Sequence, residues 1–241
     1  MKTILITGSN SDIGIAVAKA LSNHPLQLAL HYYSNQAKVS ELQAWLDEKN
    51  VQNRLFQCDL TEPSQAESLI AQTLAAFGSI DVLINIVGPF TYKDILEVTP
   101  KEWFDDINLN LHTCFNTTHY AMNELRRNQG QIINFAFSGV ENIKAWTMST
   151  GYCAAKTGVA ALTKSLAVAL APHKVRVNAI CPGLVEEGHI SAEERQQMAS
   201  QIPYGRPVRP DEIGQTAAWL VWNSPESMTG SLITVAGAWE Y

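Results

Sequence analysis

Two side chains that can exchange protons stand four residues apart in the stretch Gly151-Tyr152-Cys153-Ala154-Ala155-Lys156. A helical apolar stripe follows them, formed by Val159, Leu162, Leu166 and Leu170. Because positions i and i+4 share one helical face, Tyr152 and Lys156 are expected about 6 Å apart along the axis. An ammonium group held near a phenol lowers the pKa of that phenol, which suits Tyr152 to general acid or base catalysis. A surface tyrosine beside a solvated lysine has the same spacing, so the surrounding elements must decide between the two interpretations.

The composition indicates a sizeable core and no strongly charged partner. The chain has 241 residues, of which 46% are hydrophobic and 17% charged, and its net charge is -6. That length suits one large domain or two small ones, and mild acidity without a cluster of Lys and Arg argues against nucleic-acid binding. No apolar run approaches the roughly 18 residues of a membrane span, and the N-terminal run is too short for a signal peptide.

The cysteines and histidines give two further expectations. Four cysteines lie far apart without a Cys-x-x-Cys spacing, namely Cys58, Cys114, Cys153 and Cys181. We therefore expect free thiols in a reducing compartment and a soluble, cytoplasmic protein. His112 and His119 could share one helix face, but two histidines without a third ligand make a poor metal site, so no metal is expected.

Short apolar runs alternate with helical patterns along the chain. Ile4-Leu5-Ile6 predicts a buried strand, and it leads through Thr7-Gly8-Ser9-Asn10-Ser11-Asp12-Ile13-Gly14 into a helix from Ile15 to Leu21. Further strands are predicted at 26–31, 55–60, 80–85, 131–137, 175–180 and 232–235. Further helices are predicted at 38–48, after the N-cap and proline of Thr61-Glu62-Pro63, at 100–127 with a break near Asp105, and at 210–221. This alternation predicts one α/β domain over residues 1–241, with a doubly wound parallel sheet and helices on both faces.

The first strand, turn and helix have the layout of a dinucleotide site. A small-residue turn between a strand and a helix points backbone N–H groups at a diphosphate, although the same residues also make an ordinary turn. An acidic residue at the end of the second strand would hold the ribose 2′-hydroxyl of NAD and repel the 2′-phosphate of NADP. Tyr32 stands there instead, so NADP (NADPH) is favoured over NAD, although no Arg or Lys follows at once. The expected donors are Tyr33, Ser34 and Asn35.

Residues 184–201 differ from the buried elements around them, because they are polar and rich in Glu and Gln. Such an insert at the ligand-facing edge of a sheet is often a mobile substrate lid, and a plain surface helix is the equal alternative. Phe90, Phe137 and Trp146 are candidates for lining a substrate pocket. Trp146 is of particular interest because it precedes Tyr152 on the loop that would border the substrate.

Eight motifs follow one another along the chain: Thr7-Gly8 with Gly14, Asp59-Leu60, Asn85-Ile86-Val87-Gly88, Asn110, Tyr152-x-x-x-Lys156, Arg176-Val177-Asn178, Pro182-Gly183 and Gly205-Arg206-Pro207. In this order and spacing they resemble the short-chain dehydrogenases/reductases over essentially the whole chain, and within that family the bacterial 3-oxoacyl-thioester (3-oxoacyl-acyl carrier protein) reductase type. The resemblance implies a Rossmann-type fold and an NAD(P)-dependent enzyme acting on a small carbonyl or alcohol substrate. It also implies that the helices around Asn110 and Tyr152 assemble a homotetramer, with a homodimer as the alternative.

The resemblance implies a role for each matching residue. Tyr152 would give a proton to the carbonyl oxygen, Lys156 would bind the nicotinamide ribose and keep Tyr152 acidic, and Asn110 would anchor a proton-relaying water. The diphosphate would be lined by Thr7, Gly8, Ser11, Ile13 and Gly14. The adenosine would be contacted by Asp59, Leu60, Asn85 and Gly88, and the nicotinamide by Pro182, Gly183 and Val185.

The third catalytic member of the family is a serine, and its position in this chain is ambiguous. Counting along the fifth strand gives Phe137, and counting back from Tyr152 gives Gly139. Ser138 lies between them, and it can serve only if the strand ends or bulges there, because one residue of slip turns a side chain to the other face.

Two other positions depart from the family pattern. Asp12 replaces a turn glycine, and a carboxylate beside a diphosphate is unfavourable unless it turns away. Glu187 replaces a frequent threonine, which leaves a hydroxyl contact to the carboxamide in question. Two alternatives to a thioester reductase follow. His31-Tyr32-Tyr33-Ser34 also resembles pteridine reductases, and the ambiguous serine together with Asp12 would suit a non-catalytic NADP-binding regulator.

Overall fold

One seven-stranded sheet organises the chain, and all of its paired strands are parallel. The computed structural model describes residues 1–186 and 191–240. Its strands are β1 (Lys2–Thr7), β2 (Leu26–Tyr32), β3 (Gln52–Gln57), β4 (Val82–Asn85), β5 (Gln131–Phe135), β6 (Arg176–Pro182) and β7 (Leu232–Val235). They lie in the order β3-β2-β1-β4-β5-β6-β7. The order reverses beside β1, and at such a reversal the carboxyl ends of the strands open the crevice that binds ligands.

Helices connect the strands on both faces of the sheet. In the described residues they are α1 (Asp12–Leu21), α2 (Gln36–Glu48), α3 (Pro63–Phe77), α4 (Pro100–Ile107), α5 (Thr113–Arg127), α6 (Thr150–Leu170), α7 (Ala192–Ala199) and α8 (Pro210–Trp222). A π-helical turn, Asn108–His112, joins α4 to α5, and a 3-10 turn, Ala171–His173, follows α6.

Each central strand divides its side chains between two apolar layers. In β1, Ile4 and Ile6 pack in the layer with α1, α2 and α8, whereas Leu5 packs in the layer with α3, α5 and α6. All three side chains are 0% exposed, which is why this strand reads as an uninterrupted apolar run. Burying each of them stabilises the fold by roughly 1.5–3 kcal/mol. The predicted doubly wound α/β fold is therefore confirmed.

Some predicted boundaries were wrong where a strand is only partly buried. The third strand was placed at 55–60, but β3 is Gln52–Gln57, an edge strand with exposed Gln52 and Arg54, so its first half lacks an apolar run. Helix α3 takes Glu62, not Thr61, as its N-cap, because Thr61 donates its hydroxyl to Asp59 Oδ1 at 2.7 Å. The fifth strand stops at Phe135, two residues before its predicted end.

The helix predicted from 100 to 127 is continuous, but it changes its winding near the middle. Thr99 caps its start, where the hydroxyl accepts from Glu102 N–H and the Glu102 carboxylate accepts from Thr99 N–H. The break was expected near Asp105, whereas the π-helical turn begins at Asn108. Such turns are frequent at functional sites, and this one contains Asn110.

Helix α6 owes its apolar character to the core. By length and composition, one helix of the described chain could cross a membrane, Thr150–His173 with hydropathy 1.3, although the sequence analysis found no run of that kind. Its buried Ala167 and Leu170 pack in the same apolar layer as Val177 of β6. The same helix carries Tyr152 and Lys156 at its N-terminal end.

Candidate active site

Tyr152 and Lys156 lie beyond the carboxyl ends of the central strands. Lys156 contacts Gly88, which follows β4, and a Cβ added to Gly88 would lie 2.5 Å from Lys156 Nζ. The Tyr152 ring packs against Phe137, which follows β5, with the ring centroids 6.2 Å apart. The pair therefore faces the ligand-binding edge of the sheet, and the surface interpretation of this spacing does not apply.

Lys156 is almost fully buried, which is costly for an ammonium group. The residue is 3% exposed, and this burial lowers the pKa of the ammonium from 10.5 to about 8. Its Nζ lies 5.9 Å from the centre of the Tyr152 ring. Near pH 7 Lys156 is still mostly protonated, so it favours the ionised form of a phenol held at this distance.

Asn110 stands beside Lys156 on the π-helical turn. Its side-chain amide donates to the carbonyls of Pro89 and Asp106, both at 3.1 Å. These two bonds aim Oδ1 at Gly88, where an added Cβ would lie 2.4 Å from that oxygen. Asn110 Oδ1 is buried and has no hydrogen-bond partner within the described residues. An oxygen held in this way can anchor a small polar molecule next to the lysine.

Ser138 lies three residues after the end of β5. Its backbone N–H donates to the carbonyl of Pro182, the last residue of β6, at 2.9 Å. Ser138 is 0% exposed, and its Oγ has no partner in the part of the chain that the structure describes. Phe137 instead turns its ring toward Tyr152, and Gly139 has no side chain. Of the three positions that the sequence left open, Ser138 alone presents a hydroxyl.

The turn after β1 adopts the shape that a dinucleotide site requires. Gly8 has a φ of +68°, a conformation that glycine adopts at little cost. A Cβ at Gly14 would lie 2.3 Å from the carbonyl oxygen of Gly8, so the turn and α1 can approach only without a side chain there. Ser11 closes the turn, because its Oγ accepts from Gly14 N–H at 3.0 Å and donates to Gly8 O at 2.9 Å. Ile13 packs against the core beneath.

His31 holds this turn in place, a role that the sequence analysis missed. Its Nδ1 accepts the Gly8 N–H at 3.2 Å, and its Nε2 lies 3.1 Å from the carbonyl of Cys58. Because a carbonyl only accepts, Nε2 carries the proton and the imidazole is neutral. Burial lowers the pKa of His31 to about 4. The contacts join residues 23 and 27 positions apart, so no local pattern could have revealed them.

Two residues predicted to line the cofactor, Thr7 and Asn85, use their side chains in hydrogen bonds within the protein. Thr7 Oγ1 accepts the Ile86 N–H at 3.0 Å, which ties the end of β1 to β4. Asn85 donates to Thr118 and Asn134 and accepts from Thr117 at 2.7 Å. Any contact that Asn85 makes with a cofactor would therefore come from its backbone.

The residues expected around the adenosine form the rim of the crevice near β2 and β3. Asp59 Oδ1 accepts from the N–H and hydroxyl of Thr61 at 2.9 and 2.7 Å, which shapes the loop after β3. Leu60 is 3% exposed, and its carbonyl accepts from Asn116 at 3.0 Å. Tyr33 is exposed.

The β2–α2 loop contacts the glycine turn at this rim of the crevice. Ser34 is exposed, and its carbonyl accepts from the side chain of Asn10 at 2.8 Å. Asn35 has a φ of +54° at the start of α2. Asp12, the residue that departs from the family pattern, pairs with Lys38 of α2 at 2.5 Å.

The residues expected at the nicotinamide follow β6. Gly183 donates its N–H to Val235 at 3.0 Å, and a Cβ there would lie 2.8 Å from Ala236. Val185 pairs with Val208 in an isolated parallel bridge. Pro182 accepts the backbone N–H of Ser138 at 2.9 Å, and the contact of Pro182 and Gly183 with the nicotinamide stays a prediction. Glu187 lies outside the described residues.

Aromatic rings form one side of the site. Phe90 meets the Tyr152 ring edge-on at 5.0 Å, and Phe137 meets the Trp146 ring edge-on at 5.4 Å. The three residues expected near the substrate are thereby grouped around Tyr152. Cys153 also adjoins Tyr152, but burial raises the pKa of its thiol to about 12, so it is not a thiolate nucleophile near neutral pH.

The site as a whole fits a nicotinamide dinucleotide. The glycine turn leaves the N-terminus of α1 open to a diphosphate. At the other end, Asn110 Oδ1 and Ser138 Oγ are buried without partners among the described residues. A buried polar atom left in this state costs about 1–3 kcal/mol, so both atoms indicate that a further polar group belongs there. The fold and this site define a dinucleotide-dependent oxidoreductase of the Rossmann class.

Comparisons with known proteins agree with this class. A family model described as enoyl-(acyl carrier protein) reductase matches residues 8–238. The chain is 31% identical over 240 residues to the 3-oxoacyl-[acyl-carrier-protein] reductase FabG of Staphylococcus aureus, covering 98% of this chain and 97% of that protein. It is 30% identical over 247 residues to nodulation protein G of Azospirillum brasilense, covering 100% and 98%. Among solved structures, an actinorhodin polyketide ketoreductase variant with NADPH superposes with a TM-score of 0.90 at 27% identity, covering 98% and 96%.

The chain belongs to the short-chain dehydrogenase/reductase family. It is an NAD(P)-dependent oxidoreductase that acts on a small-molecule substrate. The resemblance seen in the sequence is therefore confirmed at the level of family, fold and enzyme class.

Proposed function

We propose that the protein is an NADPH-dependent carbonyl reductase of the 3-oxoacyl-thioester type, with Tyr152 as the proton donor to the substrate carbonyl. The observation that carries this proposal is the position of Tyr152 and Lys156, whose ring centre and Nζ lie 5.9 Å apart beyond the strand ends. The Ser138 hydroxyl, buried without a partner among the described residues, supports it. The relatives named 3-oxoacyl-[acyl-carrier-protein] reductase support the substrate class.

Each polar residue of the site has a task in this mechanism. The bound cofactor supplies the hydride. Ser138 Oγ holds the carbonyl oxygen of the substrate by donating a hydrogen bond, and Tyr152 delivers a proton to that oxygen as negative charge develops on it. Protein groups already in position for this charge need not reorganise during the reaction.

Lys156 and Asn110 support proton donation by Tyr152. The Lys156 ammonium holds the nicotinamide ribose and lowers the pKa of the Tyr152 phenol by its positive charge. Asn110 Oδ1 anchors a water beside Lys156, through which Tyr152 recovers its proton from solvent. Because burial lowers the pKa of Lys156 to about 8, this support is expected to weaken in alkaline solution.

The cofactor preference rests on the end of β2. Tyr32 stands where an acidic side chain would exclude the 2′-phosphate of NADP, and it is 5% exposed. We propose that NADP is preferred over NAD. The NADPH in the solved actinorhodin polyketide ketoreductase is in keeping with this choice.

The first test is the variant Tyr152→Phe, assayed with NADPH against acetoacetyl thioesters, diketones and dihydropterins. We expect turnover to vanish on the substrate that the wild-type protein reduces, while the NADPH dissociation constant measured by fluorescence stays nearly unchanged. Tyr204→Phe, which removes an exposed phenol at a residue with no assigned role in the site, is the control. Undiminished turnover in Tyr152→Phe would rule out the mechanism.

The panel also separates the alternative functions. Reduction of dihydropterins but not of thioesters would identify a pteridine reductase. Tight NADPH binding with no turnover on any substrate would indicate a regulator. The ambiguous serine and Asp12 had suggested this regulator. Both observations now favour it less, because Ser138 presents a buried hydroxyl and Asp12 is paired with Lys38.

The serine assignment has its own test. Ser138→Ala should lower turnover on the order of a hundredfold, as the loss of one donor to a developing oxyanion does. Ser138→Thr, which keeps the hydroxyl, should retain more activity than the alanine variant. Equal activity of the wild-type and alanine proteins would assign the hydroxyl a packing role.

The quaternary structure and the lid are also part of the proposal. Exposed apolar side chains lie on three neighbouring helices, namely Phe104 on α4, Phe115 on α5 and Val168 on α6. Covering them favours a homotetramer, with a homodimer as the alternative, and light scattering would decide. Residues 184–201 are proposed as a lid, of which 187–190 lie outside the described chain and α7 forms the outer part. A cytoplasmic location stays a prediction.

A further inference from the structure

The ion pair between Asp12 and Lys38 lies where the adenosine end of the cofactor is expected. Asp12 is the first residue of α1, directly after the glycine turn, and Lys38 is in the first turn of α2. Lys38 Nζ lies 2.5 Å from Asp12 Oδ1. The side chains are 36% and 40% exposed, respectively, so both charges remain open to a ligand.

The loops around the pair join the glycine turn to the segment that follows β2. The side chain of Asn10 donates to the Ser34 carbonyl at 2.8 Å, which ties the glycine turn to the β2–α2 loop. The ion pair bridges the same two segments a few residues further along each. In folds of this class the ribose 2′ group is read by the residues at the end of the second strand. Strand β2 ends at Tyr32, Ser34 and Asn35 lie in the loop that follows it, and Lys38 is in the first turn of α2.

The helix geometry explains how a lysine so far along the chain can reach this place. Side chains of a helix lean toward its N-terminus, so the long stem of Lys38 covers the first turn of α2 and not the second. Lys38 therefore supplies a cation to the β2–α2 loop, although no Arg or Lys directly follows β2.

We propose that Asp12 and Lys38 together set the selectivity between NADP and NAD. Lys38 is the cation that binds the 2′-phosphate. Asp12 positions the Lys38 ammonium and partly neutralises its charge. The inference rests on the proposed use of NADP. Asp12 alone would repel the added phosphate, and Lys38 alone would attract it more strongly. The pair would therefore give a moderate preference that each substitution moves in an opposite direction.

The experiment measures binding of adenosine 2′,5′-bisphosphate and of adenosine 5′-monophosphate by calorimetry, and of NADP and NAD by the same method. These fragments carry the 2′-phosphate contrast without nicotinamide, so the result does not depend on turnover. The variants are Lys38→Gln, Asp12→Asn and the double variant. Lys49→Gln, at the opposite end of α2 over the Trp45 ring, is the matched control for loss of one positive charge.

We expect Lys38→Gln to lower the ratio of 2′-phosphorylated to unphosphorylated ligand affinity on the order of tenfold. Asp12→Asn should raise it by a similar factor, and Lys49→Gln should leave it unchanged. Lys38→Gln should also lower the ratio in the Asp12→Asn background, because the lysine acts on the phosphate itself. All of these differences should shrink with added salt.

Three results would overturn the inference. Equal losses of both ligands in Lys38→Gln would mean that the pair only holds α1 to α2. No effect of Lys38→Gln in the Asp12→Asn background would mean that the lysine only screens the acid. An unchanged ratio in both single variants would remove the pair from the site. A wild-type protein that prefers NAD would contradict the proposed cofactor choice instead, and the direction of the two substitutions would still test the pair.

Discussion

The neutral state of His31 predicts that acid destabilises the protein through the turn after β1. In the folded chain this imidazole accepts the Gly8 N–H at Nδ1 and donates to the Cys58 carbonyl from Nε2. A proton on Nδ1 would set a donor against the Gly8 N–H. The histidine could then keep its place only by losing that bond, or the turn would have to move.

The expected size follows from the pKa. Burial lowers the pKa of His31 from 6.5 to about 4, and one pH unit corresponds to about 1.4 kcal/mol. Between these two pH values the unfolded chain binds a proton at His31 that the folded chain does not. The free energy of unfolding therefore falls as the pH decreases from 6.5 to 4, by about 3 kcal/mol for this residue. Above pH 6.5 the stabilisation is fully present.

Urea unfolding of the wild-type and His31→Asn proteins at a series of pH values from 7.5 to 4.5 measures this effect. The variant should be less stable at pH 7, because it loses at least one of the two bonds. Its stability should fall less steeply with acid, so the two curves converge by about 2 kcal/mol or more at pH 4.5. Parallel curves for wild-type and His31→Asn would refute the reasoning.

Three further predictions concern the reaction centre. Gly88→Ala should abolish turnover and weaken NADPH binding, since the new Cβ would lie 2.4 Å from Asn110 Oδ1 and 2.5 Å from Lys156 Nζ. Wild-type kinetics in this variant would mean that the two side chains can move aside without loss of activity. Lys156→Met should raise the NADPH dissociation constant and lower kcat, and the alkaline decline of wild-type reduction near pH 8 should shift in this variant; identical pH profiles would exclude Lys156 as its source. Trp146→Ala should raise KM for the carbonyl substrate and leave the NADPH dissociation constant unchanged, because its ring packs on Phe137 beside Tyr152; weaker NADPH binding instead would place Trp146 at the cofactor.

The central strands and the reactive helix were predictable because their signals are local. Ile4-Leu5-Ile6 needs only apolar residues to form a strand buried on both faces. The spacing of Tyr152 and Lys156 needs only one helical turn to bring them together. The edge strand β3 was misplaced because one of its faces meets solvent, so its sequence carries no continuous apolar run.

The choice among Phe137, Ser138 and Gly139 could not be made from the sequence, because it depends on where a strand ends. Pairing with β6 lasts to Phe135, and Ser138 is then held by its bond to Pro182. The position of the π-helical turn that carries Asn110 could likewise not be predicted from the sequence. Asn110 on this turn meets Gly88 and Lys156, which are 22 and 46 residues away along the chain.

The sequence by itself determined the order of strands and helices, the family and the helical spacing that brings Tyr152 and Lys156 together, since each depends on residue patterns along the chain. Only the tertiary structure decided that His31 supports the Gly8 turn, that Ser138 keeps its hydroxyl free of partners within the described chain, and that Lys38 meets Asp12. The physical reason is the same for all three. Burial and hydrogen bonding between segments some 20 or more residues apart depend on how layers pack, and that packing is a property of the whole sheet.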